Sequence, residues 1–235
     1  MCDIELSSCL VPKEIDILKI LTKRNNDNSI FLEEYIYRIN LKFENEGEYK
    51  YNELKERQYF FNRKRRIYKV YLCNTPSKKL YDFIVNEWKM EISHFENSEL
   101  IHRGHYIAKK FQKYLIPSEI LAEKRKLEKE NKIAKNQKLN KINHFFGIGN
   151  VLNISPQSAE ANCGPYGQLI YERKVWNFLD GEKGEKREVY YEVEDIIIDG
   201  KISFGRRIKA AFFEGEIFNE NESFHVFIPN IYRDK

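Results

Sequence analysis

The chain has 235 residues, of which 42% are hydrophobic and 32% charged, and its formal net charge is +4. This length and composition are those of a globular protein with a sizeable core. So small a net charge does not indicate nucleic-acid binding by itself, and only clustering of the basic residues would do so. No apolar run reaches the length of about 18 residues that predicts a membrane span, so we expect no membrane partner.

The cysteine pattern and the N-terminal sequence bear on the compartment. Cys2, Cys9, Cys73 and Cys163 form no CxxC pair, which indicates free thiols in a reducing compartment. The first residues, MCDIELSSCLVPKEID, have neither the basic start nor the apolar segment of a signal peptide. We therefore expect a cytoplasmic protein, or a toxin domain exported by a route that uses no signal peptide.

Residues 1–60 are predicted to form a partly helical extension that precedes a single domain over residues 61–235. Apolar residues recur at helical spacing over residues 13–24, after Pro12, and a second helix is predicted over residues 31–40. Near the start of the domain, RIYKVYLCN at residues 66–74 alternates in the manner of a strand.

Residues 117–143 are rich in lysine. The segment holds eight Lys and Arg residues against four Glu and no Gly, a composition that predicts an exposed helix inserted into the domain with little contribution to the core. Two interpretations remain open for it. It is either a plain exposed insertion or a basic helix that holds the backbone of a nucleic-acid substrate.

The C-terminal part is predicted to contain one helix over about residues 156–180, which ends at Asp180 and Gly181. Strands are predicted over residues 187–198, 203–214 and 223–229, with turns between them. A helix followed by antiparallel strands indicates the α+β class.

Two stretches about fifty residues apart carry the side chains of chemical interest. LIHRGHYIAKKF (100–111) contains Arg103-Gly104-His105, and NVLNISPQSAEANCGPYGQLIYERKVWNFLDG (150–181) contains the run from Asn153 to Gln157, then Asn162 and Glu172. Together they resemble the DNA/RNA non-specific endonuclease family, whose members have a ββα-metal active site. That family carries Asp-Arg-Gly-His, then Asn-Ile-x-Pro-Gln, then a metal-binding Asn and a Glu further along a helix. The resemblance covers residues 64–230 and includes FHVFIPN (224–230) as a closing strand.

The resemblance implies a ββα-metal nuclease core with an antiparallel sheet and an Mg²⁺-dependent endonuclease, with Mn²⁺ as the alternative ion. His105 would act as general base, a role that suits an imidazole that is neutral near pH 7. Asn162 would anchor the ion, since Mg²⁺ needs only one or two protein oxygens, and Glu172 would act through a metal-bound water. Arg103 would contact a phosphate. Contacts made to the backbone alone imply that DNA and RNA are both substrates, and an inhibitor protein is a further candidate partner.

His102 stands where the family has Asp. The alternative function is therefore a catalytically impaired, nuclease-derived protein that binds nucleic acid. The spacing from His105 to Asn162 is also long, and we attribute it to the lysine-rich insertion, because extra loop length costs little free energy.

Each site residue has a structural alternative. His105 would be an ordinary loop histidine, Arg103 a surface ion-pair partner, and Asn162 a helix N-cap. Cys163 is expected to be a packed thiol rather than a nucleophile.

Glu172 lies ten residues after Asn162, about 15 Å along a straight helix, which is too far for a shared ion. Its role therefore requires a break at Gly164 and Pro165; in an unbroken helix Glu160 would be the acid instead.

Overall fold

The computed structural model describes residues 30–32, 39–41, 52, 55–91, 101–165, 167–181, 186–198 and 202–230. These residues form a mixed α and β structure around a seven-stranded antiparallel sheet, with a separate pair of strands beside it. The strands are β1 (Ile30–Leu32), β2 (Ile39–Leu41), β3 (Tyr59–Asn62), β4 (Ile67–Cys73), β5 (Ile101–His105), β6 (Ile154–Ser158), β7 (Arg187–Ile198), β8 (Ile202–Glu214) and β9 (Ile217–Pro229).

The α-helices with both ends among the described residues are α1 (Lys79–Asp82), α2 (Ser118–Lys129), α3 (Gln137–Phe145), α4 (Ala159–Cys163) and α5 (Gln168–Leu179). A π-helical turn at Phe83–Glu87 extends α1, and 3₁₀ turns occur at Lys109–Tyr114 and Ile133–Lys135. None of the helices in the described part of the chain is long and apolar enough to span a membrane.

The large sheet has the strand order β1-β2-β9-β8-β7-β4-β3. Successive side chains of a strand point to opposite faces, and one face of the adjacent strands β4, β7 and β8 is largely apolar. Val70, Val193, Ile208 and Phe212 on that face are fully buried. They pack against the helices and the 3₁₀ turn at Lys109–Tyr114 to form the main core.

The predicted strands at residues 66–74, 187–198 and 203–214 are present as β4, β7 and β8. The closing strand β9 begins earlier than the predicted residue 223, at Ile217. Its early residues continue the pairing with β8, from Glu214 opposite Ile217. The strand therefore begins before the apolar segment from which it was predicted.

The lysine-rich segment differs from its prediction. It forms two helices, α2 and α3, joined through the 3₁₀ turn. The surface of α2 is largely exposed, as expected, but Leu139, Ile142 and Phe145 of α3 are buried in the main core. The expectation that this segment contributes little to the core is therefore wrong for its second half, where three apolar residues fall on one helical face.

Two helix predictions are also wrong. Over residues 31–40 the described residues at both ends are strands, and β2 pairs with β9, so pairing with the sheet overrides the local helical spacing. The single helix predicted over residues 156–180 is instead strand β6, helix α4 and helix α5. The helix predicted over residues 13–24 lies outside the described residues.

Candidate active site

The two motif stretches are neighbours in space, because β5 and β6 pair with each other. The pairing is antiparallel and in register, with His102 opposite Gln157, Arg103 opposite Pro156 and His105 opposite Ile154. Helix α4 begins at the residue after β6 ends. Segments about fifty residues apart in the sequence thus form two strands followed directly by a helix.

Gly104 makes this close pairing feasible. A Cβ atom at this position would lie 2.2 Å from Oε1 and 2.9 Å from Cβ of Gln157. The Gln157 side chain therefore passes directly over Gly104. It donates to the carbonyl of Ala161 at 3.3 Å and so connects the strand pair to α4.

Other polar residues of the second motif hold the backbone in place. Asn153 donates to the carbonyl of Ile107 and accepts from its N–H, at 3.0 and 2.8 Å. Ser158 is the N-cap of α4, where its Oγ accepts from the N–H of Ala161. Since Ser158 takes that position, the alternative that Asn162 caps the helix is wrong. Asn162 lies in the last turn of α4.

The imidazole of His105 is in an unusual environment for a surface residue. Its Nε2 atom is buried and has no hydrogen-bond partner in the described part of the chain. Burial lowers the pKa of His105 below its ordinary value of 6.5, a backbone hydrogen bond with Phe146 acts in the opposite direction, and the charge of Arg206 lowers it further. The ring is therefore neutral at pH 7 and has one nitrogen that a water or substrate could satisfy.

His102 lies beside Asn162, at the place where the family pattern has Asp. The Nδ1 atom of His102 is 3.5 Å from Nδ2 of Asn162 and 3.8 Å from Sγ of Cys163. Strand alternation puts His102 on the opposite face of β5 from Arg103 and His105. The half-buried Arg103 is placed by β5 opposite Pro156.

Glu172 is buried on α5, with 7% of its surface exposed. Its Oε1 accepts from Nε2 of Gln168 at 2.6 Å, and the same Gln168 amide group donates to the carbonyl of His105 at 2.6 Å. Burial raises the pKa of Glu172 to about 7, although the hydrogen bond from Gln168 and the charge of Arg206 both act to lower it. Gln168 thus connects the predicted acid to the strand that carries the predicted base.

The break that the Glu172 prediction requires is present. Helix α4 ends at Cys163, and α5 begins at Gln168. A Cβ at Gly164 would lie 2.4 Å from the carbonyl oxygen of Glu160, and one at Gly167 would lie 2.7 Å from the same atom. The two glycines therefore allow the chain to fold back tightly on α4, and the separation calculated for a straight helix does not apply.

Beneath the strand pair lies Arg206, with 1% of its surface exposed. Its guanidinium donates to the carbonyl of His105 at 2.8 Å and to Oε1 of Gln168 at 2.6 Å. It also donates to Oγ of Ser155 at 2.6 Å and to Asp195 at 2.8 Å. One side chain therefore ties β5, β6 and α5 to the large sheet.

Sequence reasoning missed Arg206 and Asp195, although a signal was present. Arg206 lies two residues before the buried Ile208, and Asp195 lies two residues after the buried Val193. Because side chains alternate along a strand, both charged residues point to the same inward face as these apolar ones. Charged residues at inward positions of two consecutive strands indicate a buried ion pair, because buried charges are paired.

The groups next to Asn162 are the imidazole of His102 and the thiol of Cys163, so the amide oxygen of Asn162 is the hard donor among them. No group of three or more His, Cys, Asp or Glu residues arranged to hold a metal ion occurs in the ranges that the structure describes. The contacts of Asn162 with described residues involve its Nδ2 atom, which leaves Oδ1 for a ligand. A single amide oxygen provides only one protein ligand, and Mg²⁺ can be held by so few because it keeps most of its water ligands.

No model of a protein family and no curated protein matches the sequence. Among solved structures, NucA from Streptococcus agalactiae with magnesium bound aligns at 16% identity and a TM-score of 0.42, covering 74% of this chain and 69% of that chain. The same protein with no metal bound aligns at 17% identity and a TM-score of 0.40, with the same coverage. Similarity this weak assigns neither a family nor an activity to the chain.

Proposed function

We propose that the chain is a metal-dependent, sequence-nonspecific endonuclease that hydrolyses phosphodiester bonds of DNA, RNA or both. The observation that carries the proposal is the in-register pairing of β5 with β6, followed directly by the helix that holds Asn162. This pairing supports the arrangement of two strands and a helix that the resemblance implies, with His105 on β5 and Asn162 on α4, while Glu172 lies on the next helix, α5.

His105 is assigned the role of general base. A base for hydrolysis must be neutral at the working pH and must have a nitrogen available for the proton of water. The lowered pKa of His105 meets the first condition, and its Nε2, which is buried and has no partner among the described residues, would meet the second once a water or substrate reaches it. Its main-chain carbonyl is held by Arg206 and Gln168, so the residue carrying the ring is fixed before substrate binds.

Asn162 is assigned to the metal ion, and Glu172 to the water shell of that ion. When bound, Mg²⁺ supplies charge that stabilises the phosphate oxygens and the leaving oxygen. Mn²⁺ would serve the same role. Arg103 would hold a phosphate oxygen through its planar fork of donors. The hydrogen bond that Glu172 accepts from Gln168 orients its carboxyl group.

The alternative is a nucleic-acid-binding protein that has lost catalysis, and His102 is the observation that favours it. The ring of His102 faces the Asn162 amide where the family pattern supplies a carboxylate. A neutral or positive group there offers less attraction to a cation than Asp would. The substitution His102→Asp should therefore lower the Mg²⁺ concentration needed for half-maximal cleavage.

The experiment that separates the two functions uses purified protein with plasmid DNA and with RNA, each in Mg²⁺ and in EDTA. Degradation in Mg²⁺ that EDTA abolishes supports the endonuclease. Retardation of either nucleic acid in a gel, with no cleavage in Mg²⁺ or Mn²⁺, supports the binding protein and overturns the proposed enzyme.

A further inference from the structure

The turn between β3 and β4 carries four consecutive basic residues in the sequence NRKRRI (62–67). We propose that this turn is a second contact for nucleic acid, at which Lys64 and Arg65 bind a backbone phosphate of the strand being cut. The inference rests on the proposed function, since it adds a second phosphate contact to the same substrate.

The turn presents Lys64 and Arg65 to solvent. Oδ1 of Asn62 accepts from the N–H of Arg65 at 3.1 Å, which holds the turn closed. Lys64 and Arg65 are exposed, and neither forms an ion pair with a residue that the structure describes. Arg63 differs, because it pairs with Glu91 at 2.6 Å. Two of the cations are therefore available to an anion from outside.

A pocket of about 480 Å³ opens beside these two side chains. Its other walls include Glu194, Asp195 and Arg207. The two carboxylates already have cationic partners, since Glu194 accepts from Nε of Arg207 at 2.9 Å and Asp195 from Nε of Arg206 at 2.8 Å. Arg207 also pairs with Glu192, to which Lys69 adds a second cation at 3.0 Å. The positive charges of Lys64 and Arg65 thus remain unmatched at the mouth of a pocket large enough for a phosphate group.

The turn is fixed to the candidate active site by direct contacts. The N–H of Asp195 donates to the carbonyl of Arg66 at 3.2 Å. The carboxylate of Asp195 in turn accepts from the hydroxyl groups of Tyr106 at 2.5 Å and Ser155 at 2.6 Å. The ring of Tyr106 also stacks on that of Tyr68, with centroids 4.0 Å apart. These contacts fix the position of the turn relative to the strand pair that carries His105.

The chemistry of the turn favours a phosphodiester backbone over an acidic protein surface. Arg presents a planar fork that matches phosphate oxygens, and Lys adds a compact point charge. Contacts of this kind position the strand without reading its bases. They therefore agree with an enzyme that cuts without sequence preference.

The test measures binding of a short DNA duplex in EDTA, where cleavage does not interfere, over a series of NaCl concentrations. The variant Lys64→Ala/Arg65→Ala is compared with Lys78→Ala/Arg57→Ala. The control removes the same two residue types from exposed positions just before β3 and after β4, at the end of the hairpin opposite the turn. Both variants lower the net charge equally, so only position differs between them.

We expect the slope of log affinity against log salt to become shallower in the turn variant alone. The decrease should be about 1, because the slope falls by about 1 for each phosphate no longer neutralised and both side chains are assigned to one phosphate. The Lys78→Ala/Arg57→Ala variant should keep the wild-type slope. An unchanged slope in the turn variant overturns the inference, as does an equal decrease in both variants, which would indicate a general effect of charge. The salt slope of DNA binding would also stay unchanged in the turn variant if the turn bound an acidic protein instead of DNA.

The two proposals fail separately. A protein that binds DNA through the turn but cuts nothing in Mg²⁺ keeps this inference and loses the proposed enzyme. A protein that cuts DNA normally, with an unchanged salt slope in the turn variant, keeps the enzyme and loses this inference.

Discussion

Asp195 and Arg206 face each other across β7 and β8 and form an ion pair with N–O separation of 2.8 Å, each side chain 1% exposed. A buried pair of this kind is stable only when the remaining donors and acceptors also find partners. Here they do: Asp195 accepts from Tyr106 and Ser155, and Arg206 donates to His105, Gln168 and Ser155. The pair therefore anchors the strand pair β5–β6 to the large sheet through these hydrogen bonds.

Removing the arginine should destabilise the fold strongly. Arg206→Met leaves the Asp195 carboxylate buried without its cation, and we expect a loss of about 3–5 kcal/mol in the free energy of unfolding. Urea denaturation followed by circular dichroism measures it. Arg173→Met on the exposed side of α5 is the matched control and should change stability by less than about 0.5 kcal/mol. Similar values for the two variants would contradict this assignment.

Gly104 should tolerate no side chain while Gln157 is present. We expect Gly104→Ala to destabilise the protein by about 1–3 kcal/mol, because its Cβ would overlap the Gln157 side chain. In a Gln157→Ala background the same substitution should be less harmful, since the amide group that it meets most closely is gone. Additive effects in this double-mutant cycle would show that the two residues do not contact each other.

Glu172 should make stability depend on pH. Its folded pKa of about 7 lies above the ordinary value of 4.5, so the protonated form contributes stability that is complete below pH 4.5 and is lost as the pH rises through 7. The separation of the two values corresponds to about 3 kcal/mol. The free energy of unfolding is measured in EDTA at pH 5 and pH 8 for wild type and for Glu172→Gln. Between these pH values wild type should lose stability relative to the variant by an amount of this order. A difference that stays constant with pH would refute the prediction.

Asn162 and its neighbour Cys163 provide a matched pair for the metal site. Asn162→Ala should nearly eliminate metal-dependent turnover, since it removes the oxygen assigned to the ion, while Glu172→Gln should only raise the Mg²⁺ concentration needed for half-maximal activity. Cys163→Ser changes the adjacent exposed residue and should leave the magnesium dependence unchanged. Titration of Mg²⁺ in a cleavage assay measures all three; an Asn162→Ala variant with normal turnover would exclude the assigned ligand.

Much of the large sheet could be predicted from the sequence because β4, β7 and β8 have apolar residues at alternate positions. The break before α5 was also predictable, since Gly164 and Pro165 disfavour a continuous helix. Strand β6 was not, because its Pro156 lacks an N–H and argues against a central strand. It fits here because β6 belongs to a sheet of only two strands, so both are edges.

The candidate site also has a part that the sequence predicts and a part that it does not. His105, Asn162 and Glu172 follow from the motif pattern, which local sequence carries. The contacts of His102 with Asn162 and of Gln168 with Glu172 and His105 depend on how α4 and α5 pack against the strand pair. The Asp195–Arg206 pair required the register of β7 against β8. Long-range packing of this kind is not encoded in the spacing of any one segment.

The most direct test of the proposed enzyme is cleavage of plasmid DNA in Mg²⁺ by His105→Ala and by His144→Ala. His144 is exposed on α3 and serves as the matched histidine control. Loss of a general base should lower turnover of His105→Ala by on the order of 10²–10⁴, with DNA affinity in EDTA nearly unchanged, because affinity comes mainly from phosphate contacts. His144→Ala should cleave as wild type does. If His105→Ala keeps more than about a tenth of wild-type turnover, His105 is not the base and the central assignment is wrong.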